Sequence, residues 1–194
     1  MNYSIYMEST PNPSVMKFVS NQILINNSHE FLNIKAAEKF DLAKAIFTFP
    51  FVKSVFISNN FISITKIDNA IDWQDIAQHI RIFILEELNS GILKNQDSTL
   101  QNSKSKNNVQ TKIKKYTDIE KKINIILQEY ITPLVESDGG YISLKSFHNG
   151  IVTVSLKGAC SGCPSSTITL KNGIESILKE KIGGQIKDVI ASED

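Results

Sequence analysis

YISLKSFHNGIVTVSLKGACSGCPSSTITL, running from Tyr141 to Leu170, contains two strand-like runs, a turn, a cysteine loop and the start of a helical pattern. Asn149-Gly150 lies between the two runs. This dipeptide favours a two-residue type I′ hairpin, because both central residues of that turn take positive φ. Val152, Val154 and Leu156 alternate along Ile151–Lys157 and make one buried face. Cys160 and Cys163 follow, and they are the only cysteines in the chain. Pro164 and Ser165-Ser166 suit a first helical turn, and Leu170, Ile174, Ile177, Leu178 and Ile182 continue at helical spacing. Gly183-Gly184 ends that helix, and Ile186, Val189 and Ile190 predict a last short strand. Upstream, Thr117-x-x-Glu120 fits a capping box. Ile119, Ile123, Ile126, Leu127, Tyr130 and Leu134 then recur at helical spacing, with Pro133 expected to end or kink the helix. The order is αββαβ over residues 116–194.

The first ninety residues follow another pattern, ββαββα. Val15, Lys17 and Val19 alternate with Met16 and Phe18, and Ile23–Ile25 follow Asn21-Gln22, which predicts a hairpin. Ala36 to Phe47 predicts a helix stopped before Pro50. Val52–Ser58 and Phe61–Ile67 flank Asn59-Asn60, a pair that tolerates the left-handed region. Asp72 caps a helix with Trp73, Ile76, Ala77, Ile80, Phe83, Ile84 and Leu88 on one face. Phe47, Phe49 and Phe51 are expected in the core, with an exposed ring as a client contact the alternative, and His79 at the helix surface or its boundary. Thr10-Pro11-Asn12-Pro13 is expected to impose an extended entry that shields a sheet edge from pairing, with partner docking as the alternative.

Between the two patterns, residues 91–115 read GILKNQDSTLQNSKSKNNVQTKIKK, with six lysines and one aspartate. This composition buries too little apolar surface to offset chain entropy. It predicts a flexible basic linker spanning roughly 25–30 Å. The fold class is therefore α+β, with two small α/β-layered domains, 1–90 and 116–194, joined by a tether.

Composition excludes several classes of function. The chain has 194 residues, 41% apolar, and a formal net charge of +1, so no global field points to nucleic acid. Its longest apolar run, Ala45–Val52, is broken by Pro50 and is far short of the roughly 18 residues a membrane span needs. The N-terminus lacks the basic and apolar regions of a secretory signal. Two cysteines make no secreted disulfide framework. A reducing compartment is expected: the bacterial cytosol, or the mitochondrial matrix if a presequence has been removed.

Cys160 and Cys163 leave a strand and enter a helix, where free amides and the helix dipole favour thiolate. Gly158 and Gly162 leave the loop bare, so the thiols are expected to be exposed. Three chemistries compete. A dithiol–disulfide redox pair fits the spacing, although such a site is expected on a crossover in a parallel sheet, and here a hairpin precedes it. Structural zinc wants four Cys or His ligands, and the remaining candidates, His29, His79 and His148, lie in the first domain or at the hairpin tip. An iron–sulfur cluster commonly takes four thiolates. One chain brings two and two chains bring four, so a cluster would sit between identical loops of a symmetric dimer. Inert thiols beside a core remain the bland alternative.

Leu134-Val135-Glu136-Ser137-Asp138-Gly139-Gly140, the hairpin, and Gly158-Ala159-Cys160-Ser161-Gly162-Cys163-Pro164-Ser165-Ser166 together resemble the NifU C-terminal domain. Thr10-Pro11-Asn12-Pro13 with Lys17-Phe18, and Val52-Lys53-Ser54-Val55-Phe56, resemble the N-terminal domain of Nfu-type proteins. The resemblance covers nearly all of the chain except the linker. It implies a non-enzymatic iron–sulfur scaffold or carrier. Such a protein would hold a 4Fe–4S cluster between two copies through Cys160 and Cys163, receive it from upstream assembly proteins and deliver it to apo-proteins. The further cysteines and the IscU-like domain of full-length NifU are absent, so no second, permanent cluster is expected. Neither nucleic acid nor membrane is an expected partner. The first domain carries no visible chemistry and is expected to handle partners or position the second. Asp138-Gly139-Gly140 is expected to be a turn, or alternatively to bring a carboxylate near the cluster.

Overall fold

A computed structural model describes residues 2–67, 71–95, 116–161 and 164–192; at 94–95 and 164–168 it describes backbone alone. The chain divides into two compact units, Met1–Gln110 and Thr111–Asp194. The expected linker falls mainly outside the described residues. At its start, the 3-10 turn Ile92–Asn95 brings Ile92 and Leu93 against the first core.

The first unit is a five-stranded antiparallel sheet in the order β1-β2-β5-β4-β3. Its strands are β1 (Ile5–Ser9), β2 (Val15–Ser20), β3 (His29–Phe31), β4 (Val52–Ser58) and β5 (Phe61–Lys66). The hairpin partner of β2 is β1, not Ile23–Ile25. Those three residues form no strand; instead the Leu24 and Ile25 amides donate to the Asn59 carbonyl, at 2.7 and 3.2 Å. Thr10-Pro11-Asn12-Pro13 is correspondingly the β1–β2 connection, not an edge guard. Thr10 Oγ1 donates to the Asn12 carbonyl (2.9 Å), and the Ser14 amide donates to Asn12 Oδ1 (3.1 Å). The adjacent Lys17 and Phe18 point to opposite faces, as strand alternation requires. Phe18 is fully buried in the core, while Lys17 pairs with Glu8 on β1 (3.0 Å) and lies over the Phe61 ring.

Helix α1 is only Asp41–Ile46, because residues 34–39 form successive turns instead of the helix expected from Ala36. Helix α2 (Trp73–Ser90) begins where the Gln74 amide donates to Asp72 Oδ1 (3.0 Å), and ends at Gly91 with φ 88°. It buries Trp73, Ala77, Ile80, Ile84 and Leu88. Each large aliphatic side chain so buried contributes about 1.5–3 kcal/mol. Phe49 sits edge-on to Phe83 at 5.0 Å, which places the aromatic cluster beside that core. His79 is exposed, as expected.

In the second unit, α3 (Asp118–Ile126) carries the expected capping box between Thr117 and Glu120. The helix continues through a π turn, Leu127–Ile131, into α4 (Thr132–Ser137). The wider turn answers Pro133, whose ring would collide with a carbonyl one α-turn back and which has no amide to donate. The proline therefore widens the helix without ending it. Strands β6 (Gly140–His148) and β7 (Ile151–Gly158) form the predicted hairpin, with positive φ at both Asn149 (52°) and Gly150 (88°). Helix α5 (Pro164–Ile182) then leads to β8 (Asp188–Ser192), which pairs parallel to β7. Ile123, Leu127, Val135, Ile142, Val154, Leu178 and Val189 form the core.

Lys171 of α5 pairs with Asp188 of β8 at 3.0 Å. Chiefly through the Lys171 hydrogen bond, the Asp188 carboxyl is held below the usual carboxylate range. A carboxylate lowered by folding adds stability above its unfolded pKa and loses it as pH falls through its folded value. Asp188→Asn should therefore cost a small amount of stability at neutral pH, since the pair is exposed. In acid the variant and parent should converge, as followed by thermal melts across pH.

Candidate metal-binding loop

The loop begins where the β6–β7 ladder ends. Gly140 and Gly158 are opposite each other at that end, and His148 and Ile151 are at the other. Gly139 and Gly158 both have positive φ, 79° and 65°, which non-glycine residues adopt at a cost. The Ala159 amide donates to the Gly139 carbonyl (3.1 Å), tying the loop to the segment before β6. The Ser161 amide donates back to the Gly158 carbonyl (3.1 Å) and closes a turn around Cys160.

That turn directs Cys160 inward. The residue is 6% exposed and packs in the core with Ile142, Leu156 and their neighbours. Exposure was expected from the glycines and serines of the loop, but a bare backbone does not set the direction of a side chain, and here the local turn does. Gly162 and Cys163 lie outside the described residues, so the mutual geometry of the two sulfurs is not part of the structure. Helix α5 starts at Pro164, as expected, and its N-terminus follows the loop directly.

The hairpin separates two candidate ligands. His148 is exposed at the tip, eight residues along the strand from Gly140, which is about 26 Å of extended chain. It therefore cannot join Cys160 around one zinc ion within this unit. Asp138 is exposed at the C-cap of α4, and its amide donates to the Leu134 carbonyl (3.2 Å), while the Gly139 amide donates to the Glu136 carbonyl (3.0 Å). The Asp138-Gly139 pair thus serves as a helix stop and turn. Among the described residues, no three His, Cys, Asp or Glu side chains gather as a metal site, and no helix is long and apolar enough to cross a membrane.

A strand, the cysteine loop, α5 and the parallel strand β8 also make a crossover unit. The sequence signalled a hairpin before the cysteines and a last short strand after the helix, but not that this strand pairs parallel to β7. The setting that a redox C-x-x-C favours is therefore present, contrary to expectation.

Two family models match the chain in succession. One, described as "Scaffold protein Nfu/NifU N terminal", matches residues 5–91, and the other, "NifU-like domain", matches residues 123–190. The chain belongs to the Nfu family. Among its relatives is the human "NFU1 iron-sulfur cluster scaffold homolog, mitochondrial", 34% identical over 177 residues that make up 90% of this Nfu chain and 66% of the relative. The "NifU-like protein 4, mitochondrial" of Arabidopsis thaliana is 34% identical over 189 residues, 95% of this chain and 64% of that protein. The chain thus spans about two thirds of the length of these relatives or slightly less. A solution NMR structure of a NifU-like protein from Saccharomyces cerevisiae aligns with a TM-score of 0.40 and 27% identity, over 46% of this chain and 81% of that one. The Nfu chain carries Cys160 and Cys163 inside the second matched segment, between the strand and the helix described above.

Proposed function

We propose that this Nfu chain is a non-enzymatic iron–sulfur carrier whose cargo is a 4Fe–4S cluster held by Cys160 and Cys163 of each of two copies. The observation that carries the proposal is the succession of the two family matches, with the only two cysteines of the chain inside the second. The donor count supports sharing. A cluster of this type takes four thiolates, and each chain has two. A site split between subunits loads and unloads as the subunits meet and part, which suits transfer to apo-proteins better than permanent electron transport. The names of the relatives supply the scaffold role, and their mitochondrial location supports the organellar alternative over the bacterial cytosol.

Anaerobic incubation of the full chain with iron and sulfide tests this. The expected product is a brown dimer with about four irons per two chains that passes its iron and sulfide to an apo-acceptor of the 4Fe–4S class. A loaded monomer would overturn the shared site, and a chain that takes up no iron would overturn the carrier reading.

The β7–α5–β8 crossover favours a second reading, a thiol–disulfide oxidoreductase using the same cysteines. It predicts a colourless protein that reduces insulin disulfides in the presence of a small dithiol. Failure of that assay together with cluster uptake excludes it.

A further inference from the structure

Gly139, Gly158 and Gly150 are explained by positive φ, but Gly140 is not among the residues with positive φ. It is the first residue of β6 and is buried. Ile142 and Leu144 follow it on the same face of the strand and point into the core. A side chain at 140 would therefore point into the core as well, and the space it would take is already filled. A Cβ placed on Gly140 would lie 2.6 Å from Cys160 Sγ, 3.0 Å from Cys160 Cβ and 3.0 Å from the Lys157 carbonyl oxygen. The first of these is closer than carbon and sulfur approach without bonding. Two of the three atoms are a Cβ and a backbone oxygen, which rotation of the thiol cannot move. The Ala159–Gly139 hydrogen bond and the Gly140–Gly158 pairing hold the loop from behind, so the cysteine cannot slide along the strand to make room.

We propose that Gly140 is a positioning residue for Cys160: by lacking a side chain it forms the seat for the Cys160 sulfur at the end of the β6–β7 ladder. The seat is made in the apo-protein, twenty positions before the thiol in sequence, and it sets where the first cargo ligand of the loop starts from. Its relevance to cargo rests on the carrier reading above, but its existence does not. Any side chain at 140 dislodges Cys160, and the thiol is turned out of the core toward solvent.

The test uses the full-length apo-protein. Gly140→Ala should raise the alkylation rate of Cys160 on the order of tenfold, read by mass spectrometry of the peptide. It should also lower the thermal midpoint, read from the NMR signals of β6 and β7, by roughly 5–15 °C. A general loss of packing would do the second without depending on the sulfur. The discriminating measurement is therefore the double variant Gly140→Ala/Cys160→Ala. With Sγ, the closest of the three atoms, removed, the midpoint drop caused by Gly140→Ala should be smaller than in the parent background, while the 3.0 Å approaches to the residue-160 Cβ and the Lys157 carbonyl remain. If Gly140→Ala alone does not fold, recovery of β6 and β7 signals in the double variant is the expected rescue. An undiminished drop, an unfolded double variant, or unchanged Cys160 alkylation in a folded Gly140→Ala protein would each overturn the proposal. Iron uptake is read separately. Loss of uptake by Gly140→Ala while the parent loads normally ties the seat to the cargo, whereas a parent that takes up no iron sinks the carrier reading and leaves the thiol measurements standing.

Discussion

Cys160→Ser should leave a colourless, monomeric chain under oxygen-free assembly conditions that give the parent a brown dimer. The variant removes one thiolate from each copy, which takes two of the four sulfur donors from a symmetric site in a single change. A serine hydroxyl stays protonated at neutral pH and is a poor substitute for thiolate on iron. Iron retained should fall from about four per pair of chains to near zero. The fold should survive. Cys160 is buried among apolar neighbours, and a hydroxyl there costs about 1–3 kcal/mol against a domain stability several times larger. Cys160→Ala, which adds no polar group, controls for that cost. It should be as colourless as the serine variant while melting closer to the parent. Iron content and sedimentation decide the matter: a serine variant that stays brown and dimeric would show that the cluster is held elsewhere.

Phe18→Ala should lower the melting midpoint of the N-terminal unit by about 10 °C or more while leaving the C-terminal unit folded and able to load iron. Phe18 is fully buried in β2, with β1 on one side and β5 on the other. Truncating such a ring costs about 3–5 kcal/mol through lost burial and the cavity left behind. The two cores share no members: one gathers Phe18, Ile62, Ile80 and Ile84, the other Ile123, Ile142, Leu178 and Val189. A lesion in the first should therefore stay in the first. NMR signals from both units during one thermal melt provide the check, and a parallel fall of both would show that they unfold as one body.

Much of the second unit was legible because its signals are local. Asn149-Gly150 specifies its own turn, Thr117 and Glu120 cap each other across one helical turn, and Pro164 marks the start of α5. The same holds for β4, β5 and α2 in the first unit, where Asn59 and Asp72 act within a few residues. The misreadings have the opposite character. Strand β1 shows almost no alternation, because only Ile5 of its five residues is buried and it sits at the sheet edge. Ile23–Ile25 are β-branched or aliphatic, which imitates a strand, yet the Leu24 and Ile25 amides both donate to one distant carbonyl, that of Asn59 in the β4–β5 turn. The inward turn of Cys160 was hidden for a similar reason. The local turn that sets it, closed by the Ser161 amide on the Gly158 carbonyl, sits in a loop anchored through the Ala159 amide on Gly139, a partner distant in sequence and adjacent only after the hairpin has closed. The parallel pairing of β8 left no trace in the order of elements, since a final strand can join either edge.

That parallel strand bears on the order of events when the chain is made. Residues 140–158 can zip into a hairpin as soon as they exist, through contacts between near neighbours. Strand β8 cannot dock on β7 until all of α5 has formed and doubled back. On the ribosome both cysteines therefore emerge well before the loop that carries them is closed from its far side. A thiol pair loaded at that stage would meet an unfinished frame, so on the proposed carrier reading productive loading is expected to follow the docking of β8.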